Sequence, residues 1–248
     1  QFLIELDGTA DKKKLGANAI LAVSQAVLKA GALSVGLPLY QYVQKKYQLI
    51  NEFNLPNCII TALDGGLYGG KNLDFREFFI IPASYMTTEQ AIEMAVTLKQ
   101  KIENLLISKG AIHSVGSTGG FSPSLYKNTD AFELLIEAIR QSQYNFAQDL
   151  FFGLNSAAYD LYEAGKYRLR DNSEGMSAGE LLQLYKKMRE SYKLIYFEDP
   201  FLESDDGKWQ ELMREIGATT TIANCHEASS QVSLIQKGLN NQTFNAVV

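Results

Sequence analysis

Apolar and polar positions follow two different rhythms on either side of about residue 55. Before it, Leu15, Ile20, Leu21, Val23, Val27 and Leu28 recur with alanines between them over residues 14–33. That spacing predicts a helix of small residues packed on most of its circumference. Pro38-Leu39-Tyr40-Gln41-Tyr42-Val43 predicts a second, shorter helix with proline in its first turn. Beyond residue 55, short unbroken apolar runs alternate with amphipathic stretches. Residues 58–63 and 77–82 read as strands, the second stopped by Pro82. Thr87-Thr88-Glu89-Gln90 is a helix start signal ahead of Ala91, Met94, Ala95, Leu98, Ile102 and Leu105. Then come helix 129–141, strand 150–155, helix 177–190, strand 194–198, helix 207–216, strand 220–224, helix 229–237 and strand 244–248.

Strands that are apolar throughout are buried on both faces, and their alternation with helices predicts a parallel sheet with helices outside. A barrel is favoured over an open doubly wound sheet because no glycine-rich dinucleotide fingerprint follows any strand. With residues 115–121 included, seven strands are counted against the eight that such a barrel needs. The chain also stops inside an apolar run, at Val247-Val248, so sequence is expected to be missing at both ends.

Composition narrows the function classes. A chain of 248 residues, 46% hydrophobic, carries enough apolar mass for a real core. Its net charge of −5 provides no basic patch for nucleic acid. No apolar run reaches the roughly 18 residues of a membrane span, and no signal-peptide pattern opens the chain. Two cysteines, Cys58 and Cys225, are too few for a disulfide framework, which fits a reducing intracellular, cytoplasmic setting. The Asn241-Gln242-Thr243 sequon is read as chance.

Several motifs in order carry a resemblance. Phe2-Leu3-Ile4-Glu5-Leu6-Asp7-Gly8-Thr9, Lys14-Leu15-Gly16-Ala17-Asn18-Ala19-Ile20-Leu21, Gly36-Leu37-Pro38-Leu39-Tyr40, Arg76-Glu77-Phe78, residues 115–121, Glu198-Asp199-Pro200-Phe201 and Trp209 together resemble enolase across essentially the whole chain. The resemblance implies an α/β fold, an enolase-type TIM-like barrel with its second strand antiparallel, preceded by the helical end of an α+β domain. Residues 1–50 are then the end of the N-terminal domain and residues 51–248 the incomplete barrel. The family interconverts 2-phosphoglycerate and phosphoenolpyruvate. A lysine removes the proton alpha to the carboxylate, magnesium stabilises the charge that develops, and a glutamate helps expel hydroxide. The lysine is expected just past Val248, and the mobile substrate loop before Gln1.

Position by position, the chain departs from that pattern. The three acidic magnesium ligands of the family correspond to Asn155, Glu198 and Asn224, leaving one carboxylate of three. The family's Asp-Glu-Gly-Gly-Phe reads Ser117-Thr118-Gly119-Gly120-Phe121, and the Thr118 hydroxyl cannot replace a carboxylic acid near neutrality. The glycine loop carries Tyr68 where the family has histidine, and Gln-Glu becomes Arg76-Glu77. Cys225 reads as a small buried residue rather than a nucleophile. His113 and His226 have no spaced partner for a zinc site or a triad. Tyr68, Arg76, Glu77 and Thr118 are therefore expected to be vestigial catalytic positions, and Asn155, Glu198 and Asn224 vestigial metal positions. No cofactor is expected.

The favoured reading is a catalytically inactive enolase-like protein that binds other proteins in a larger assembly, a ciliary or axonemal one by family analogy, with a homodimer also implied. Two rivals remain. One is an active, magnesium-dependent enolase (a lyase) with atypical ligands. The other is a superfamily enzyme with new chemistry built on Glu77, Tyr68 and Arg76.

Overall fold

The computed structural model describes residues 1–49, 53–226, 228 and 231–248, apart from the side chain of Ser173. The expected domain boundary at residues 50 and 51 and the expected helix start at Ser229 lie outside the described residues. Contact density divides the chain into two units, Gln1–Pro56 and Asn57–Val248.

The first unit holds α1 (Phe2–Asp7), α2 (Ala17–Ser34) and α3 (Leu39–Tyr47). Asp7, though acidic, is buried, because its carboxylate accepts the Thr9 and Leu15 backbone N–H groups and the Thr9 hydroxyl. Helix α2 forms where the alanine-rich pattern predicted it, but only Ile20 and Ala32 are buried on it. Leu21, Val23, Val27 and Leu33 are exposed. The expectation of burial on most of its circumference is thus corrected. Within this unit its close neighbour is α3, and the Tyr42 ring packs where Gly31 has no side chain. By length and composition alone α2 could cross a membrane, with mean hydropathy 1.2, contrary to the expectation that no apolar run is long enough.

The second unit is a six-stranded sheet flanked by helices, in the order β1 (Ile60–Asp64), β2 (Glu77–Pro82), β3 (Leu150–Asn155), β7 (Leu194–Glu198), β8 (Thr221–Asn224) and β9 (Ala246–Val247). Strand β2 is antiparallel to both neighbours, and β3, β7, β8 and β9 pair in parallel. Two features differ from the sequence reading. Residues 115–121 form no strand and make only single bridges, Leu63 to Phe121 and Val115 to Phe121. Six strands rather than seven therefore pair in the main sheet among the described residues, and the sheet stays open. The short α6 (Ala158–Leu161) leads into a second, three-stranded sheet that the sequence reading passed over. It is made of β4 (Tyr162–Glu163), β5 (Lys166–Leu169) and β6 (Asn172–Met176).

The helices on the large sheet are α4 (Thr88–Ser108), α5 (Asn128–Arg140), α7 (Ala178–Tyr192), α8 (Asp206–Ile216) and α9 (Val232–Asn241). Capping boxes start two of them: Thr87 with Gln90 on α4, and Ser177 with Glu180 on α7. Each satisfies backbone donors that the first turn leaves open. Between helices and sheet lies an aromatic-rich core in which Phe132 meets Phe78, Phe152 and Tyr192 at ring separations of 5.2, 5.5 and 4.8 Å. Phe132 is fully buried, so Phe132→Ala is expected to cost about 3–5 kcal/mol. Urea denaturation measures this, and a loss below about 1 kcal/mol would show that the cluster repacks around the gap.

Candidate functional site at the strand ends

The register of the large sheet decides which side chains meet. Asp64 pairs with Glu77, Glu77 with Asn155, and Asn155 with Glu198. Neighbouring strands lie about 4.8 Å apart, so four polar residues from four strands form one row at one edge of an otherwise apolar sheet. All four are buried.

Asn155 joins the row. Its Nδ2 donates to Glu77 Oε2 and to Glu198 Oε1, each at 2.9 Å. Its Oδ1 accepts the Ala157 N–H at 3.1 Å, which turns the chain at the end of β3. The other oxygens of the two acids are also engaged: Thr61 donates to Glu77 Oε1 at 3.1 Å, and Tyr196 donates to Glu198 Oε2 at 2.7 Å. Among the described residues neither glutamate has an ion-pair partner within 4.0 Å. Burial pushes the Glu198 carboxyl above its ordinary value; the Tyr196 hydroxyl opposes this, while Asp199 and Glu77 add to it by like-charge repulsion.

Asp64, at the head of the row, is hydrogen-bonded differently. It accepts the Thr118 and Gly120 backbone N–H groups at 3.2 Å each and the Thr118 hydroxyl. Thr118 is therefore turned toward Asp64 and fixes the 115–121 loop. Gly116 lies so close to this carboxylate that a side chain there would collide with it.

Beyond the row stands a second acid. Asp199 takes a left-handed conformation, φ 46°, unfavourable for residues with a Cβ but better tolerated by aspartate than by most. Its Oδ1 accepts the Cys225 N–H at 2.8 Å, and its Oδ2 accepts the His226 N–H at 3.1 Å. Burial raises the Asp199 value, and these two amides partly offset the rise. Glu198, Asp199 and Cys225 each offer a ligand atom, all within 4.8 Å of one another. Burial pushes the Cys225 thiol up to about 11, and the adjacent carboxylates add to the shift, so it remains a protonated thiol near neutrality. Cys225 is half-buried rather than fully enclosed.

Asn224 is buried, and its Oδ1 accepts the Ala228 N–H at 2.9 Å. Tyr68 does not reach the row; its ring lies against Arg76, with 4.6 Å between the guanidinium carbon and the ring centre. The Tyr159 ring lies 5.0 Å from the same carbon, and Arg76 pairs with Asp160 at 2.5 Å. Of the residues singled out from sequence, Glu77, Asn155 and Glu198 are thus brought into direct contact. Thr118 joins Asp64, Tyr68 joins Arg76, and Asn224 ends the neighbouring strand. Sequence reasoning missed Asp64, Asp199 and Cys225 as members of the site. The signals were present: an acid closing β1, and the Glu198-Asp199-Pro200 step, where a second acid directly follows the first.

Of the cluster Glu198, Asp199 and Cys225, the two carboxylates suit a hard divalent cation, while the protonated thiol does not. Glu198 and Asp199 supply clustered carboxylate oxygens, Glu77 is joined to Glu198 through one amide, and no ion pair neutralises the two glutamates among the described residues. The amide oxygens of Asn155 and Asn224 are already committed to backbone N–H groups.

The family profile described as "Enolase, C-terminal TIM barrel domain" matches residues 52–248, and "Enolase, N-terminal domain" matches residues 1–43. Among curated proteins, "Enolase" of Ehrlichia chaffeensis is 37% identical over 246 residues, covering 99% of this chain and 57% of that protein. "Enolase" of Ehrlichia ruminantium (strain Welgevonden) has the same identity and coverage. "Enolase 1" of Methylococcus capsulatus is 36% identical over 249 residues, covering 100% of this chain and 58% of that protein. The chain spans a little over half the length of these relatives.

Two outcomes test the row. Asn155→Asp replaces a donor to two carboxylates by a further carboxylate, and a hydrogen bond to a charged group contributes about 1.5–3 kcal/mol. The variant is expected to lose about 3 kcal/mol of stability at pH 7 without metal and to recover part of it on acidification; an unchanged urea midpoint would rule out the bridging role. Glu198 sets a second dependence. Its folded value lies above the ordinary 4.5, so the folded chain holds this proton more tightly than the unfolded one. The stabilisation is complete below pH 4.5 and is lost as pH rises through the folded value. Stability of the parent relative to Glu198→Gln should therefore fall with rising pH in that window, and a difference that rises with pH would refute the assignment.

Proposed function

The chain belongs to the enolase family, and from that premise we propose that the intact protein interconverts 2-phosphoglycerate and phosphoenolpyruvate with magnesium held at a rearranged strand-end site. The expectation of a catalytically inactive ciliary or axonemal component is corrected by the relatives, which are named for the enzyme and match at 36–37% identity over the whole chain. The substitutions at the strand ends are accordingly read as a changed ligand set. With the enzymatic reading goes a cytoplasmic setting.

One observation carries the proposal: Glu198 and Asp199 place carboxylate oxygens together beside Cys225 within 4.8 Å, at the end of β7. A cation held there would supply the positive charge that lets a weakly acidic proton alpha to a carboxylate be removed. The residues of this chain do the holding and positioning. Glu198 and Asp199 would ligate directly. Glu77, facing the same end through Asn155, adds negative charge without entering an ion pair. Tyr196 fixes one oxygen of Glu198 and so sets which oxygen is presented to the cation. The two backbone amides on Asp199 do the same for the second acid. Thr118 is occupied with Asp64 and takes no part in proton transfer. The residue that removes the proton is expected from the resemblance to follow Val248.

The test is formation of phosphoenolpyruvate from 2-phosphoglycerate by the intact protein. Turnover should require added magnesium and cease with chelator, and Glu198→Gln should lower it by about 100-fold or more. Absence of turnover with saturating magnesium would overturn the reading.

A further inference from the structure

Arg76 directly precedes Glu77 in the chain, yet its guanidinium is paired with Asp160 rather than with the Glu77–Asn155–Glu198 row. Its backbone is clamped from two sides: its N–H donates to Asn155 O at 2.9 Å, and its carbonyl accepts the Gly65 N–H at 2.8 Å. Its guanidinium lies between the rings of Tyr68 and Tyr159, at 4.6 and 5.0 Å, and Asp160 holds one end at 2.5 Å. The side chain is only 13% exposed, and its Nε–H is buried with no hydrogen-bond partner among the described residues. Tyr159 leads back toward the site. Its ring stacks on His226 with 3.9 Å between centres, and the His226 N–H is bonded to Asp199. A permanently charged group is thus immobilised against Tyr159, which stacks on the residue whose backbone holds Asp199.

We propose that Arg76 is a fixed counter-charge that weakens the hold of Glu198 and Asp199 on a divalent cation, and so sets the magnesium concentration at which the site fills. The inference rests on the magnesium reading above and deepens it. A like charge fixed near a cation site opposes binding at every ionic strength where the intervening space is shielded from salt.

The experiment is calorimetric titration of magnesium into the metal-stripped intact protein and three variants, with thermal melts confirming that each is folded. Arg76→Gln removes the charge and is expected to bind magnesium about tenfold more tightly. Arg76→Lys keeps a positive charge in place and should stay within about threefold of the parent. Asp160→Asn strips the arginine of its partner and should weaken magnesium binding by about threefold. A merely structural role would move Arg76→Gln and Asp160→Asn in the same direction. Equal or weaker binding by Arg76→Gln overturns this proposal while leaving the magnesium reading intact. Failure of all four proteins to bind magnesium overturns both.

Discussion

An amide group lying between two buried carboxylates is the interaction on which the second unit's polar edge depends. Glu77 and Glu198 come from strands separated by one other, and without a donor between them two like charges would be desolvated side by side. Asn155 Nδ2 supplies a hydrogen to each. A carboxylate in that position would have no hydrogen to give, and a small apolar residue would leave both acids unsatisfied. The register that brings the three together is itself held by the apolar faces of β2 and β3, where a slip of one residue would turn every core side chain to the wrong face.

Around that bridge the site divides its charges among different kinds of partner. Asp64 is quieted by backbone N–H groups and a hydroxyl from the 115–121 loop. Asp199 is quieted by backbone N–H groups from the turn after β8. Asp160 takes Arg76. Among the described residues Glu77 and Glu198 are left with neutral donors only. Negative charge is therefore concentrated at the centre of the edge and compensated at its rim, an arrangement suited to a small cation entering from the open end of the strands.

Much of the fold was legible because its cues are local. Strands 150–155 and 194–198 are unbroken apolar runs and occur with those bounds, and the Thr87 and Ser177 caps announce their helices. The hairpin sheet of β4, β5 and β6 was not, since its strands are two to five residues long and their alternation is too brief to stand out. Residues 115–121 look like a strand but are glycine-rich and pair only through isolated bridges. At the site, Glu77, Asn155 and Glu198, expected to be vestigial, were singled out by their match to the family pattern. Asp199 and Asp64 were not, because looking for one ligand per strand end overlooks an acid carried sideways by a left-handed turn and an acid that closes an edge strand. Which partner each acid has is a matter of register and loop return, and neither is written in any single segment.

Asp64 also constrains the order in which the molecule can assemble. Among the described residues, every donor that satisfies it comes from a loop 54 to 56 residues further along the chain. Until that loop returns, dehydrating the end of β1 would strand a bare carboxylate, so the β1–β2 hairpin can form early only with this end still wet. Closing so long a segment is entropically slow relative to local pairing. Docking of the glycine loop is thus a late step, after which the strand-end edge becomes dry.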